Sequence, residues 1–222
     1  MTTPMNAFEA KVSAVFSRLK TGGSPENWIP VFEQGVAVAN LRPLATGGYT
    51  EADIALLTQW RIENQHWFPT QFNVTHEGTK VWLDRQVIGK PDRILFMIQD
   101  MEGVAVGHVG LCSFNYVELT CEMDNVIRGR NDVLPNGMVL AYKTLAEWAM
   151  NELGAQEIFA RLFADNRHSV LLQLAAGFRR HRKIPMRKVE KDGAVHWVEM
   201  EAGSGEEPER YFLVAARSRR TL

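Results

Sequence analysis

The sequence predicts a mixed α/β (α+β) fold: a twisted, mostly antiparallel sheet flanked by helices. Three observations predict it. Apolar runs between residues 94 and 128 read as strands, with turn residues between them. From Gly137 the period changes: Met138, Ala141, Leu145, Trp148, Ala149 and Leu153 form one wide helical stripe. A β-like segment and another helix follow, so antiparallel strands come first and a strand–helix–strand crossover later.

Composition sets outer bounds. The 222 residues carry 25 Lys+Arg against 26 Asp+Glu, a net charge of −1, which lacks the basic excess of a general nucleic-acid binder. Hydrophobic residues at 45% exclude a wholly disordered chain. Two cysteines, Cys112 and Cys121, cannot build a disulfide framework or a four-thiolate zinc site; they read as reduced thiols within strands. The six histidines show no ligand spacing with acids or thiols, so no metal is expected. There is no apolar stretch of about 18 residues. Met1 to Ala10 lacks the basic and apolar regions of a signal peptide. A cytoplasmic location and no membrane partner are the expectation.

The elements follow in order. Phe8, Val12, Val15, Phe16 and Leu19 predict an amphipathic helix, broken at Thr21-Gly22-Gly23-Ser24-Pro25; residues 1–35 read as an N-terminal helical appendage to a domain of residues 36–222. Residues 36–44 read as a strand closed by Pro43. Glu51 to Asn64 is helical, capped by Thr50 with Asp53 in the first turn; Thr75 caps a second helix with Val81, Trp82 and Val87. His66 to Asn73 is an aromatic loop. Ile94–Gln99 and Val104–Phe114 read as a hairpin about Asp100–Gly103, followed by a strand over 117–128. After the long helix and its stop at Gly154, residues 156–164 are β-like and 166–176 helical, with Gly177 as stop. The tail offers strands near 188–189, 195–200 and 211–215, with an Asp192-Gly193 hairpin signal.

Four segments in this order resemble the GNAT superfamily of N-acetyltransferases, its ribosomal-protein and amino-sugar branches in particular. They are VGHVGL at 106–111; a strand, loop and long helix running from Glu122; the strand IFARLFADN; and Asn166, Ser169, Gly177 and Phe178 at the family's spacing. LRPL at 41–44 and WRIEN at 60–64 look like the family's opening strand and first helix. The resemblance implies an acetyl-CoA donor, a splayed central strand pair and transfer to a primary amine. Two departures stand out. The usual Q/R-x-x-G-x-G/A phosphate signature has Leu134, Gly137 and Val139 at its three places, and Gln173 stands where many members carry a tyrosine general acid.

The chemistry suggests where each part sits. A pyrophosphate needs helix N–H donors, which the onset at Asn136, Gly137, Met138 and Val139 supplies. A pantetheine arm pairs like an added strand, here along Asn125, Val126 and Ile127, whose N–H groups also suit an oxyanion. The resemblance adds Asn166 as a pantetheine contact and Ser169 as a cofactor contact. The attacking amine must lose a proton, and Glu122 and Asp124 share one strand face. Glu122 is the expected base, Asp124 a substrate or supporting group, and His108 an alternative base. Trp60, Arg61, Trp67 and Phe72 are the expected acceptor site. The basic cluster at Arg179, Arg180, Arg182, Lys183, Arg187 and Lys188 reads as a solvated strand face. The expected partner is a small amine, a nucleotide-linked amino sugar among the options, and a homodimer is compatible with the resemblance. Rival readings are a protein N-terminal acetyltransferase and a non-catalytic CoA-binding module.

Overall fold

A computed structural model describes residues 6–201 and 205–219. Its strands are β1 (Ile29–Glu33), β2 (Val36–Pro43), β3 (Thr70–Gln71), β4 (Ile94–Asp100), β5 (Ala105–Asn115), β6 (Thr120–Arg128), β7 (Glu157–Phe163), β8 (Arg179–Lys191), β9 (Ala194–Glu199) and β10 (Arg210–Ser218). They form one sheet in the order β1-β2-β4-β5-β6-β7-β10-β8-β9-β3. Every adjacent pair is antiparallel except β6 and β7, which are parallel. The helices are α1 (Ala7–Leu19), α2 (Glu51–Asn64), α3 (His76–Trp82), α4 (Gly137–Trp148) and α5 (Arg167–Ala175). Parallel strands need a crossover, and α4 provides it between β6 and β7.

Local chemistry sets the helix ends. Thr50 and Asp53 form a reciprocal capping box at α2, and Asp53 also takes the buried Arg42 guanidinium at 2.5 Å. Thr75 caps α3 through the Gly78 N–H. Both α3 and α4 run on into a π-helical turn, and the second ends at Gly154 with φ +94°, where a glycine is needed.

The sheet divides the core. On one face α1 and α4 bury Phe8, Val12, Phe16, Ala141 and Leu145 against Ile94, Phe96, Val109 and Met123. On the other, α2 and the segment after α3 bury Ile54, Trp60, Leu83 and Val87 against Leu95, Met97 and Ile127. Residues 7–33 therefore depart from the expected appendage. The buried stripe of α1 belongs to the main core, and β1 pairs with β2 from Ile29↔Leu41 to Glu33↔Val36. A boundary after residue 35 would cut a hairpin. The first five residues of the expected appendage, and 202–204 and 220–222 of the expected domain, lie outside the described residues.

Two further segments differ from expectation. The aromatic loop includes β3, which pairs Thr70 with His196 and Gln71 with Val195 on β9. The strand expected near 188–189 is the end of β8, which starts at Arg179 and carries the basic cluster; Arg179, Arg180, Arg182, Lys183, Arg187 and Lys188 are all exposed. The turn at Asp192 and Gly193, with φ of +54° and +74°, closes the β8–β9 hairpin as its sequence predicts.

Candidate functional site

β6 and β7 pair only at Thr120↔Glu157, Cys121↔Ile158 and Glu122↔Phe159, and then separate. From Met123 onward the β7-facing edge of β6 has no ladder partner. A cleft of about 1120 Å³ fills the opening and passes through the sheet. Val139, Tyr142, Asn166 and Ser169 line it on the α4–α5 side, and Arg61, Trp67 and Phe72 on the α2 side.

A bulge shapes the middle of the cleft. Between the pairs His108↔Ile127 and Gly110↔Asp124, β6 spends one more residue than β5. Asn125 takes it up at φ +46°, a conformation Asn tolerates better than most residues. The neighbouring glycines are forced by backbone approach: a Cβ on Gly107 would lie 2.4 Å from the Ile127 carbonyl oxygen, and one on Gly110 2.4 Å from that of Ile94. This is the physical content of the VGHVGL pattern.

Glu122, Asp124 and His108 all line the cleft. Neither carboxylate is free. Arg161 forks onto Glu122 at 2.5 and 2.9 Å, and Arg93 onto Asp124 at 2.6 and 3.1 Å. His108 is 3% exposed, and its Nδ1 lies 2.5 Å from the Asn125 carbonyl. A carbonyl only accepts, so Nδ1 carries the proton and Nε2 keeps its lone pair. Burial pushes the imidazole down to about 4, partly opposed by the Asn125 carbonyl and the Asp124 charge and reinforced by Arg61. His108 is thus neutral at pH 7.

A stability signature follows. With a folded pKa near 4 against 6.5 for the free side chain, the unfolded state binds more protons between those values. Stability is therefore full above 6.5 and falls as pH drops toward 4, by up to about 3 kcal/mol from this group. His108→Gln is expected to flatten that part of the melting-temperature profile. An unchanged acid slope would show that His108 is not the group responsible.

The helix onsets are placed as follows. Asn136 precedes α4 without a side-chain cap; its amide instead donates to Glu33 at 2.9 Å, and it does not line the cleft. The Gly137 N–H is taken by the Leu134 carbonyl at 2.8 Å, so of the expected donors that open α4 the Met138 and Val139 N–H groups stay free of it. A Cβ at Gly137 would meet the end of the Leu134 side chain at 2.6 Å, a contact that a leucine rotation can relieve. Asn166 caps α5 by accepting the Ser169 N–H at 3.1 Å, which leaves its amide nitrogen for another partner. Trp60 departs from its expected place in the acceptor site. It is 2% exposed and packs against His108 at 6.0 Å, because it sits one helical step, about 100°, from Arg61.

Four cleft residues escaped the sequence reading. Arg93 and Arg161 act through partners distant in the chain. Tyr142 is fully buried on α4 and donates to Gln173 Oε1 at 2.8 Å, and burial pushes its hydroxyl pKa up. Its only sequence signal is a polar atom within an apolar helical stripe. Cys112 also lines the cleft, but burial raises its thiol to about 12, so it is no nucleophile at neutral pH.

A family model for the acetyltransferase (GNAT) domain matches residues 41–179. Among solved structures, the chain is similar to a spermidine N-acetyltransferase from Vibrio cholerae in complex with CoA and spermine, at 12% identity and TM-score 0.61, covering 81% of this chain and 95% of that one. It is also similar to a GNAT-family acetyltransferase from Bacillus anthracis, at 14% identity and TM-score 0.62, covering 86% and 98%. At these identities the likeness is one of fold. No curated protein gives a significant match to the sequence. No helix among the described residues is long and apolar enough to cross a membrane.

Proposed function

The chain belongs to the GNAT acetyltransferase family, and from that premise we propose that it acetylates a primary amine on a small acceptor within the β6–β7 cleft. The observation that carries this reading is the separation of β6 from β7 after Glu122, which joins a helix-onset face to an aromatic, arginine-bearing face through one opening.

The residues fit an acyl-CoA. Acetyl-CoA, when bound, supplies the acetyl group as an activated thioester. The free edge of β6 over Asn125, Val126 and Ile127 would hold the two amides of the pantetheine arm, as a sheet edge holds an added strand. The Asn166 amide nitrogen, released from capping duty, would donate to the same arm, with Ser169 beside it. The Met138 and Val139 N–H groups at the positive end of α4 would take the pyrophosphate. An N–H at the Asn125 bulge would stabilise negative charge on the thioester oxygen during attack.

On the other face Glu122 would accept the amine's proton, directly or through water. The surrounding guanidinium groups assist, because positive potential disfavours the ammonium form of a bound amine. Asp124, clamped by Arg93, holds the bulge side of the cleft, and the Asn125 amide donates to it at 2.7 Å. Gln173 stands in for the tyrosine common in the family. Tyr142 fixes its carbonyl end, so its amide nitrogen would face the departing sulfur.

A small acceptor is favoured over a protein chain. The aromatic loop is pinned by β3–β9 pairing, and Arg61 lies 3.4 Å above the Phe68 ring, so this side is walled rather than flat. A nucleotide-linked amino sugar is compatible with that wall. The test is thiol release from acetyl-CoA across a panel of primary amines, with the acetylated product identified by mass. CoA binding without thiol release from any amine would favour a non-catalytic CoA-binding module.

A further inference from the structure

Arg61 is a cation without an anion. Its guanidinium lies 3.4 Å from the Phe68 ring centroid and 5.6 Å from that of Phe72, and one nitrogen, Nη2, donates to the Thr70 carbonyl at 2.8 Å. None of the ion pairs among the described residues includes it. Burial lowers its pKa to about 10, which marks a charge that has lost hydration and gained no partner.

The rest of the cleft does not compensate. The charged residues lining it are Arg61, Arg93, Arg128 and Arg161 against Glu122, Asp124 and Glu199, four cations to three carboxylates. Glu122 and Asp124 are each held by an arginine fork, and Glu199 is exposed, with its charge felt by Arg161. Arg128 donates through Nε to the Arg130 carbonyl at 3.0 Å. The cleft thus carries one more cation than carboxylate, and Arg61 and Arg128 are its two guanidinium groups outside the ion pairs of the described residues.

We propose that Arg61 is an anion subsite, and that the acceptor carries an acidic group, carboxylate or phosphate, beside its amine. This deepens the acetyltransfer reading and rests on it for the identity of the cleft's acceptor side. The Phe68 ring covers one face of the guanidinium and fixes its plane. The edge donors not used by Thr70 remain for an incoming oxyanion. Because Arg61 is already desolvated and held, an anion gains a charge-assisted hydrogen bond with little further ordering of the protein. A polyamine finds the opposite: both Glu122 and Asp124 are held by arginine forks, and Arg61 faces it as an unpaired cation.

Matched probes test this on the CoA-saturated protein by titration calorimetry. The pairs are β-alanine with β-alaninamide and phosphoethanolamine with ethanolamine, with spermidine as the polycation. At least one acidic member should bind roughly tenfold or more tightly than its neutral twin. The two pairs separate carboxylate from phosphate. Arg61→Met should erase the preference while CoA affinity stays at the parental value, and Arg61→Lys should restore part of it, keeping charge but not the fork. The proposal is overturned if no acidic probe outbinds its twin, if spermidine binds as well as the acids, or if Arg61→Met keeps the preference. Should Arg61→Met not fold, the parent's ranking and Arg61→Lys decide. Thiol release with the same probes reads the transfer reaction separately. A binding preference without thiol release upholds the subsite and sinks acetyl transfer; release that favours the neutral amines does the reverse.

Discussion

Glu122→Gln is expected to lower kcat/KM for amine acetylation by roughly 10²- to 10³-fold, with CoA affinity unchanged. The substitution keeps shape and an oxygen for Arg161 but removes the site that accepts the proton. Glu122 occupies the last paired position before β6 and β7 separate, so its carboxylate stands at the mouth of the cleft. Its partner Arg161 has a side chain 53% exposed, whereas the Arg93 that holds Asp124 is 24% exposed. The two carboxylates are equally covered, at 14% each, so the difference lies in their partners: the Glu122 fork is held by the more exposed arginine. Asp124→Asn is expected to have the smaller effect. A base assignment also predicts a changed pH profile: the acidic limb of kcat/KM should move or vanish in Glu122→Gln, a result that lost packing alone does not produce. Full activity in Glu122→Gln with loss in Asp124→Asn would transfer the role to Asp124. His108 is the third candidate, with its Nε2 lone pair, though at 3% exposure and packed against Trp60 it is the most enclosed of the three.

Much of the frame was legible in the sequence because it is local. Period 3.6 marked α4, the Thr50 box marked α2, and Asp192-Gly193 marked a hairpin. Glu122 and Asp124, which period 2 pairs, both line the cleft. What the sequence hid is pairing at a distance. The stripe of α1 says that a face is buried but not against what, so residues 1–35 read as an appendage, whereas the buried face of α1 belongs to the main core. β8 was hidden by its composition: only Ile184 and Met186 are buried in a run of Arg, His and Lys. In the site, Arg93 lies 31 residues from Asp124 and Arg161 lies 39 from Glu122, separations at which no local pattern links a charge to its partner. The Asn125 bulge leaves no signal beyond the tolerance of Asn for positive φ. Adjacent residues misled in the opposite way. Trp60 and Arg61 read as one motif, yet helix geometry sends the first into the core and the second into the cleft.

That division of labour between Trp60 and Arg61 sets up the largest expected loss of stability. Gly129 follows β6, with its N–H on the Val106 carbonyl at 3.0 Å, at the start of the loop that leads to α4. A Cβ there would fall 1.9 Å from Trp60 Cε2 and 2.2 Å from Cζ2. The indole is 2% exposed and cannot move without displacing its neighbours. Gly129→Ala is therefore expected to cost about 3 kcal/mol, at the upper end of overpacking, and to lower the melting temperature by roughly 10 °C. Gly103 gives the contrast. It sits at φ +84° with nothing within 4 Å of a built Cβ, so Gly103→Ala carries only backbone strain, about 1 to 2 kcal/mol. A backbone-only account of these glycines predicts the reverse order. A double-mutant cycle isolates the cause: with Trp60→Leu, the Gly129→Ala penalty should shrink by more than about 1 kcal/mol, since the clashing atoms are gone. Additive penalties would show that Gly129 is required for the loop's own conformation, and that the exit of β6 toward α4 is not set by the Trp60 ring.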